Sequence, residues 1–155
     1  MRFLIRSNIG EARIYGVEFE GFWRIPNSRW SLSGNLAWLR GDDLTSDEPL
    51  RRIPPPFGFL GVRYDDEPGR FHGELYSRFA ARQDRLSQGD IDDPRIPEGG
   101  TPGWWTLNVR GAYRFSEAFS LEAAIENLLD ETYRTHGSGI DAPGTNVIVT
   151  LVGKF

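Results

Sequence analysis

Hydrophobic and polar residues take turns along most of this chain. Between Ala12 and Ile25, one face carries Tyr15, Val17, Phe19, Gly21, Trp23 and Ile25, and the other Ile14, Gly16, Glu18, Glu20, Phe22 and Arg24. Successive side chains of a strand point to opposite sides, so this spacing predicts a strand with one continuous apolar face. Trp30 to Arg40 repeats the pattern, with Trp30, Leu32, Gly34, Leu36 and Trp38 opposed to Ser31, Ser33, Asn35 and Ala37. Phe57 to Asp65 presents Gly58, Leu60, Val62 and Tyr64. Phe71 to Ala81 sets Phe71, Gly73, Leu75, Ser77 and Phe79 against His72, Glu74, Tyr76 and Arg78. Trp105 to Phe115 sets Trp105, Leu107, Val109, Gly111, Tyr113 and Phe115 against Thr106, Asn108, Arg110, Ala112 and Arg114. The last run places Val147, Val149, Leu151, Gly153 and Phe155 opposite Ile148, Thr150, Val152 and Lys154.

One segment carries two patterns. Ser116 to Glu131 contains good helix formers behind a serine, with Leu121, Ile125 and Leu128 at helical spacing. The same residues alternate, Phe119, Leu121, Ala123 and Ile125 against Ser120, Glu122, Ala124 and Glu126. We read a strand here, with a bend near Asn127, which brings the expected number of strands to about seven.

The connections alternate too. Pro26-Asn27-Ser28, Asp66 to Gly69 and Ser116-Glu117-Ala118 are short, whereas Gly41 to Pro56, Arg82 to Gly103 and Thr135 to Gly144 are long and polar. Short turns on one side and long loops on the other are the rhythm of an outer-membrane β-barrel. Trp30 and Trp38 stand on the same apolar face, roughly 20 Å apart along the membrane normal for tilted strands, close to the ~25 Å between aromatic girdles. The expected fold class is therefore all-β: an antiparallel, up-and-down transmembrane β-barrel segment. About seven strands do not close a bacterial barrel, which takes an even number from ~8 upward.

Composition bounds this picture without changing it. The chain has 155 residues, a net charge of −4, no cysteine and 13% aromatic residues. That charge argues against a nucleic-acid partner, and the lack of cysteine removes disulfides and thiolate metal sites. Mean hydropathy is −0.45, and no run approaches the ~18 apolar residues of a membrane helix. A transmembrane strand needs only ~9–11 residues, of which every second one meets lipid. The first residues, Met1 to Asn8, are too short and too often interrupted by arginine for a signal peptide.

The residues Asn127, Leu128, Asp130 and Tyr133, within N-L-L-D-E-T-Y, resemble the Asn-Leu-hydrophobic-Asp-x-x-Tyr signature of TonB-dependent outer-membrane receptors. The Pro143-Gly144 pair, the terminal Phe155 and the run Ile14 to Glu20 (I-Y-G-V-E-F-E) fit the same family. Thr145 stands where the family usually carries arginine. The resemblance implies a barrel of about 22 strands with an amino-terminal plug. On that reading, residues 1–155 are the carboxy-terminal portion of the barrel, with the plug domain absent from the sequence. It further implies a bacterial outer-membrane receptor that takes up a scarce nutrient, such as a ferric siderophore, haem or cobalamin, using TonB-coupled energy. Implied partners are outer-membrane lipid, the TonB complex acting through the plug, and the barrel-assembly machinery acting through the final strand.

Candidate chemistry sits in the long loops. Asp42 and Asp43 in the first, and Asp90, Asp92 and Asp93 in the second, offer oxygen atoms for substrate contacts, or equally the surface of a solvated loop. Their spacing matches no EF-hand. His136, flanked by Gly137, Ser138 and Gly139, is placed either as a transient ligand for a haem or metal chelate or as an ordinary turn residue. No Ser-His-Asp set, phosphate loop or nucleophile elbow is present, so no enzyme, resident cofactor or bound metal is expected. Two other readings use the same alternation: a soluble all-β ligand-binding module with its apolar face inward, and a porin-like barrel without TonB coupling.

Overall fold

The computed structural model describes residues 10–154. Phe155, the terminal residue of the family signature, lies outside the described residues.

Seven long strands form one antiparallel, up-and-down sheet: β1 (Ala12–Arg24), β2 (Trp30–Asp43), β4 (Phe57–Asp65), β5 (Phe71–Ala80), β6 (Trp104–Arg114), β7 (Phe119–Glu126) and β8 (Asn146–Gly153). A two-residue strand, β3 (Glu48–Pro49), pairs with the end of β2. Each long strand pairs with its sequence neighbours, and β1 and β8 do not pair with each other, so the sheet is unclosed. It is an incomplete β-barrel.

The register explains why the alternation matters. Val17 pairs with Trp38, Phe19 with Leu36, Gly21 with Gly34 and Trp23 with Leu32. The apolar set continues through Leu32 opposite Val62, Val62 opposite Leu75, Leu75 opposite Val109, Val109 opposite Ile125 and Ile125 opposite Val147. A one-residue slip anywhere would send a whole strand's apolar residues to the other side.

The segment with two patterns is a strand, and the chain turns at Asn127, whose φ is +52°. Helix propensity loses because both neighbouring strands offer a ladder whose apolar rows Leu121, Ala123 and Ile125 complete.

Burial is inverted relative to a water-soluble sandwich. The apolar face is the open one: Phe19 is 69% exposed, Leu60 60% and Leu151 68%. Buried side chains of the strands lie mostly on the other face and are polar, among them Glu74, Thr106 and Asn108. There Arg110 reaches Glu74 at 2.6 Å and stacks over Tyr76. Aromatic rings flank the apolar band at both rims: Tyr15 with Trp38 on the long-loop side, and Trp30 with Tyr64 on the short-turn side.

The long connections hold more structure than their composition predicts. Gly41 to Pro56 is not wholly loop: β2 runs on to Asp43 and β3 folds back upon it. Arg82 to Gly103 contains a single helical turn, α1 (Gln88–Ile91). A proline is tolerated in β3 because a strand this short lies at an edge, where the missing N–H breaks no ladder.

Candidate functional site

By the up-and-down order, the loops 44–56, 81–103 and 127–145 emerge from the same end of the sheet. They bind to one another, and the second loop is the hub.

Its core is a capping box. Ser87 starts α1 and its hydroxyl accepts from the Asp90 N–H, while the Asp90 carboxylate accepts from the Ser87 N–H and hydroxyl. This arrangement satisfies donors that a helix start leaves free. Asp90 is 1% exposed, and its carboxylate also accepts the backbone N–H of Arg52 at 3.2 Å. Arg52 takes a left-handed φ of +60°, so the first loop is folded onto the second.

Asp93, 4% exposed, is the second anchor. Its Oδ2 accepts from Arg51 at 2.6 Å, Arg52 at 3.3 Å and Arg95 at 2.7 Å. Oδ1 accepts from Arg95 Nε at 2.8 Å. A buried carboxylate requires such partners, and Arg51 Nε also stands 3.8 Å from the Asp90 carboxylate, but two carboxylates do not use up three guanidiniums. The side chains of Arg51, Arg52 and Arg95 remain 50%, 48% and 44% exposed. They present unused N–H donors to solvent where two loops meet. Gln83 Nε2 adds a bond to Ile53 O at 2.6 Å.

The third loop is shaped by the signature residues. Asn127 donates its N–H to Asn108 Oδ1 at 2.8 Å and its side-chain amide to Glu131 O and Pro143 O. Its Oδ1 accepts the Glu131 N–H, and its carbonyl accepts the Thr145 hydroxyl at 2.9 Å. Asp130, also at φ +52°, accepts the Thr145 N–H. Leu128, between them, is 37% exposed. Tyr133 packs on Trp104 with ring centroids 4.3 Å apart. Gly144 lies against Asp130, where a Cβ would collide with the carboxylate, and this accounts for the glycine of the Pro143-Gly144 pair.

His136 joins the third loop to the second. Its Nδ1 stands 2.8 Å from Thr101 Oγ1, and Nε2 is shut away from solvent without a partner. Burial pushes its pKa below the ordinary value, although Asp90 and Asp93 pull the other way. The ring is therefore neutral at pH 7. Arg134 ties the same two loops through Arg95 O at 3.4 Å and holds Asp141 at 2.9 Å. Between these loops lies a cavity of about 190 Å³, lined by Pro97, Pro102, Trp104, Tyr133 and Arg134.

The candidates drawn from sequence thus fall into two groups. Asp90, Asp93 and His136 come together at the loop hub. Asp42, Asp43 and Asp92 lie outside that cluster, although Asp42 grips Arg85 of the second loop and Asp92 closes α1. Asp42 binds Arg13, Arg40 and Arg85 at the end of β2. Asp43 caps the turn through the N–H groups of Thr45 and Ser46. Asp92 is exposed and accepts from Gln88. Arg51, Arg52, Arg95 and Thr101 were not anticipated. The available signal was the Arg51-Arg52 pair, a concentration of cation ahead of a loop rich in carboxylates. Among the described residues, no three His, Asp or Glu side chains are grouped to hold a metal ion.

Comparison with known proteins bears on this arrangement. A family model described as TonB dependent receptor-like, beta-barrel matches residues 3–128. No curated protein sequence matches the chain. Among solved structures, the chain is similar to the copper transporter OprC, with 24% identity and a TM-score of 0.81, over 93% of this chain and 24% of that one. It is also similar to the siderophore receptor PiuA from Acinetobacter baumannii, with 14% identity and a TM-score of 0.63, over 93% of this chain and 22% of that one. The ferric yersiniabactin uptake receptor FyuA from Yersinia pestis matches at 19% identity and a TM-score of 0.62, over 93% of this chain and 24% of that one. The chain spans about a quarter of the length of these structures.

Proposed function

The chain belongs to the TonB-dependent receptor β-barrel family, and from that premise we propose that it forms barrel wall and outer loops of a bacterial outer-membrane receptor importing an anionic metal chelate. TonB-dependent receptor barrels are bacterial outer-membrane proteins, and the family is one of transport receptors. In this proposal the chain is the carboxy-terminal portion of the barrel. The TonB complex acts through a plug domain, lipid covers the apolar face, and the assembly machinery engages the final strand.

The observation that carries the substrate class is the fan of Arg51, Arg52 and Arg95 around Asp93. The similar structures are named for copper and for siderophores. Set against the two buried carboxylates of Asp90 and Asp93, the three half-exposed guanidiniums keep a surplus of one positive charge, which repels a bare cation and attracts carboxylate or catecholate oxygens that guanidinium can grip in pairs. This segment also has no cysteine, and its one methionine is Met1, so it offers no soft sulfur ligand at the loops. Asp90 and Asp93 act by presenting the arginines, and His136 by pinning the third loop to the second. Asp42, Asp43 and Asp92 stand outside this contact set.

The test is uptake by cells carrying the intact receptor, with Arg51, Arg52 and Arg95 changed to Gln together. Losing charge-assisted contacts worth about 2 kcal/mol lowers affinity for an anionic ferric chelate roughly thirtyfold. Affinity for an uncharged chelate of the same metal should not fall. Unchanged chelate affinity in a variant that still assembles in the membrane would overturn the proposal.

A further inference from the structure

The apolar face ends, towards the long loops, at the edge-to-face pair Tyr15 and Trp38, 5.8 Å apart. Beyond it the register continues, with Tyr15 opposite Arg40 and Arg13 opposite Asp42. By alternation Arg13 and Arg40 share the side of Tyr15 and Trp38, just outside the aromatic rim. The Arg13 guanidinium rests over the Tyr15 ring at 5.6 Å. Three guanidiniums converge on the single carboxylate of Asp42: Arg13 at 3.6 Å, Arg40 at 3.7 Å, and Arg85. The cluster carries a surplus of two positive charges, and the Arg13 and Arg40 side chains are 61% and 46% exposed. Below it, Gly21 and Gly34 face each other across β1 and β2 and floor an apolar groove of about 440 Å³, walled by Phe19, Leu36 and Leu60.

We propose that this rim binds a phosphate-bearing lipid of the outer leaflet, its phosphate on Arg13 and Arg40 and an acyl chain in the groove. Several features of the rim meet that ligand. Aromatic rings sit at headgroup depth, so the guanidiniums immediately beyond them lie where lipid phosphates lie. Guanidinium grips phosphate through two parallel hydrogen bonds. Asp42 neutralises one of the three cations and holds the others in place. The paired glycines leave the floor of this groove without side chains, and its depth suits a methylene chain. The proposal depends on the outward orientation of the apolar face and is independent of what the receptor imports.

The experiment uses the intact protein, reconstituted in phosphatidylcholine vesicles containing a diphosphorylated glycolipid, then returned to detergent and weighed by native mass spectrometry. The unaltered protein should retain the phosphorylated lipid. Arg13→Gln with Arg40→Gln should reduce retention roughly thirtyfold, about fivefold per cation. Arg13→Lys with Arg40→Lys should restore part of it, because charge remains while the paired geometry is lost. Assembly of each variant is checked by resistance of the folded barrel to detergent until heated. Two measurements need no variant. The dephosphorylated glycolipid should be lost from the unaltered protein, and millimolar inorganic phosphate without lipid should leave no adduct. Equal retention of the dephosphorylated lipid, or an adduct with phosphate alone, would overturn the proposal, as would full retention by the Gln variant.

Discussion

At the scale of single residues, Asn127 carries more structure than any neighbour. Its side chain bonds Glu131 twice and Pro143 once, its backbone N–H and carbonyl bond Asn108 and Thr145, and φ is +52°. Asparagine tolerates that left-handed conformation better than most residues. Asn127→Ala removes the side-chain bonds and adds backbone strain, for an expected loss of about 3 kcal/mol. Asn127→Gly keeps the conformation and loses the bonds, so it should fall about 1 kcal/mol short of that. Limited proteolysis within 127–145 measures both, and equal cleavage of alanine variant and unaltered protein would count against the assignment. The signature residue was legible in sequence as a resemblance. Its role was not, because all three partners of the side-chain bonds are backbone groups, which any residue type supplies.

Whole elements were the most legible feature. Each strand has a period of two, and the cross-strand register places every apolar set on one side. β7 needed its neighbours to decide between strand and helix. The elements that escaped, β3 and α1, are two and four residues long, too short for any period to show. The capping serine of α1 is an ordinary loop residue until Asp90 bonds back to it. The strand assignment makes a sided prediction. Leu60 lies near the middle of the apolar band, opposite Gly34, whereas Asn35 lies on the polar face one residue along. Leu60→Arg should destabilise the folded barrel by about 2–4 kcal/mol. Asn35→Arg should cost under about 1 kcal/mol, because the polar face already holds arginines. Chemical unfolding in lipid vesicles gives both values, and equal costs would contradict the assignment of faces.

For the molecule as a whole, the inversion of burial sets aside the soluble module, one of the readings that the alternation allowed; a porin-like barrel would share it. A soluble module would shelter Phe19, Leu60 and Leu151 and expose Glu74, Thr106 and Asn108; the sheet does the reverse. The loops were placed on one end by their lengths alone, but their mutual grip was not legible, since it depends on pairs distant in sequence, such as Arg52 and Asp93, 41 residues apart. That grip has a pH dependence. A free histidine titrates near 6.5, and burial holds His136 lower. Above that value the ring is neutral whether the loops are docked or apart. As pH falls through about 6.5 towards the depressed value, protonation favours the undocked loop, so the docked state loses stability. Hydrogen exchange over 135–144, corrected for the intrinsic rate, should therefore accelerate from pH 7.5 to pH 5.5. In His136→Gln that extra acceleration should vanish, and its persistence would assign it elsewhere.

The fan of guanidiniums on Asp93 has a last consequence. On the proposed reading, a guest bearing carboxylate or catecholate oxygens takes the N–H donors that Asp93 leaves unused, while the bonded ones still fasten the first loop to the second. Each bond made to the visitor is then added to the latch, and none is withdrawn from it. Under that proposal a filled vestibule keeps its mouth fastened, because guest and latch draw on different hydrogens of the same guanidiniums.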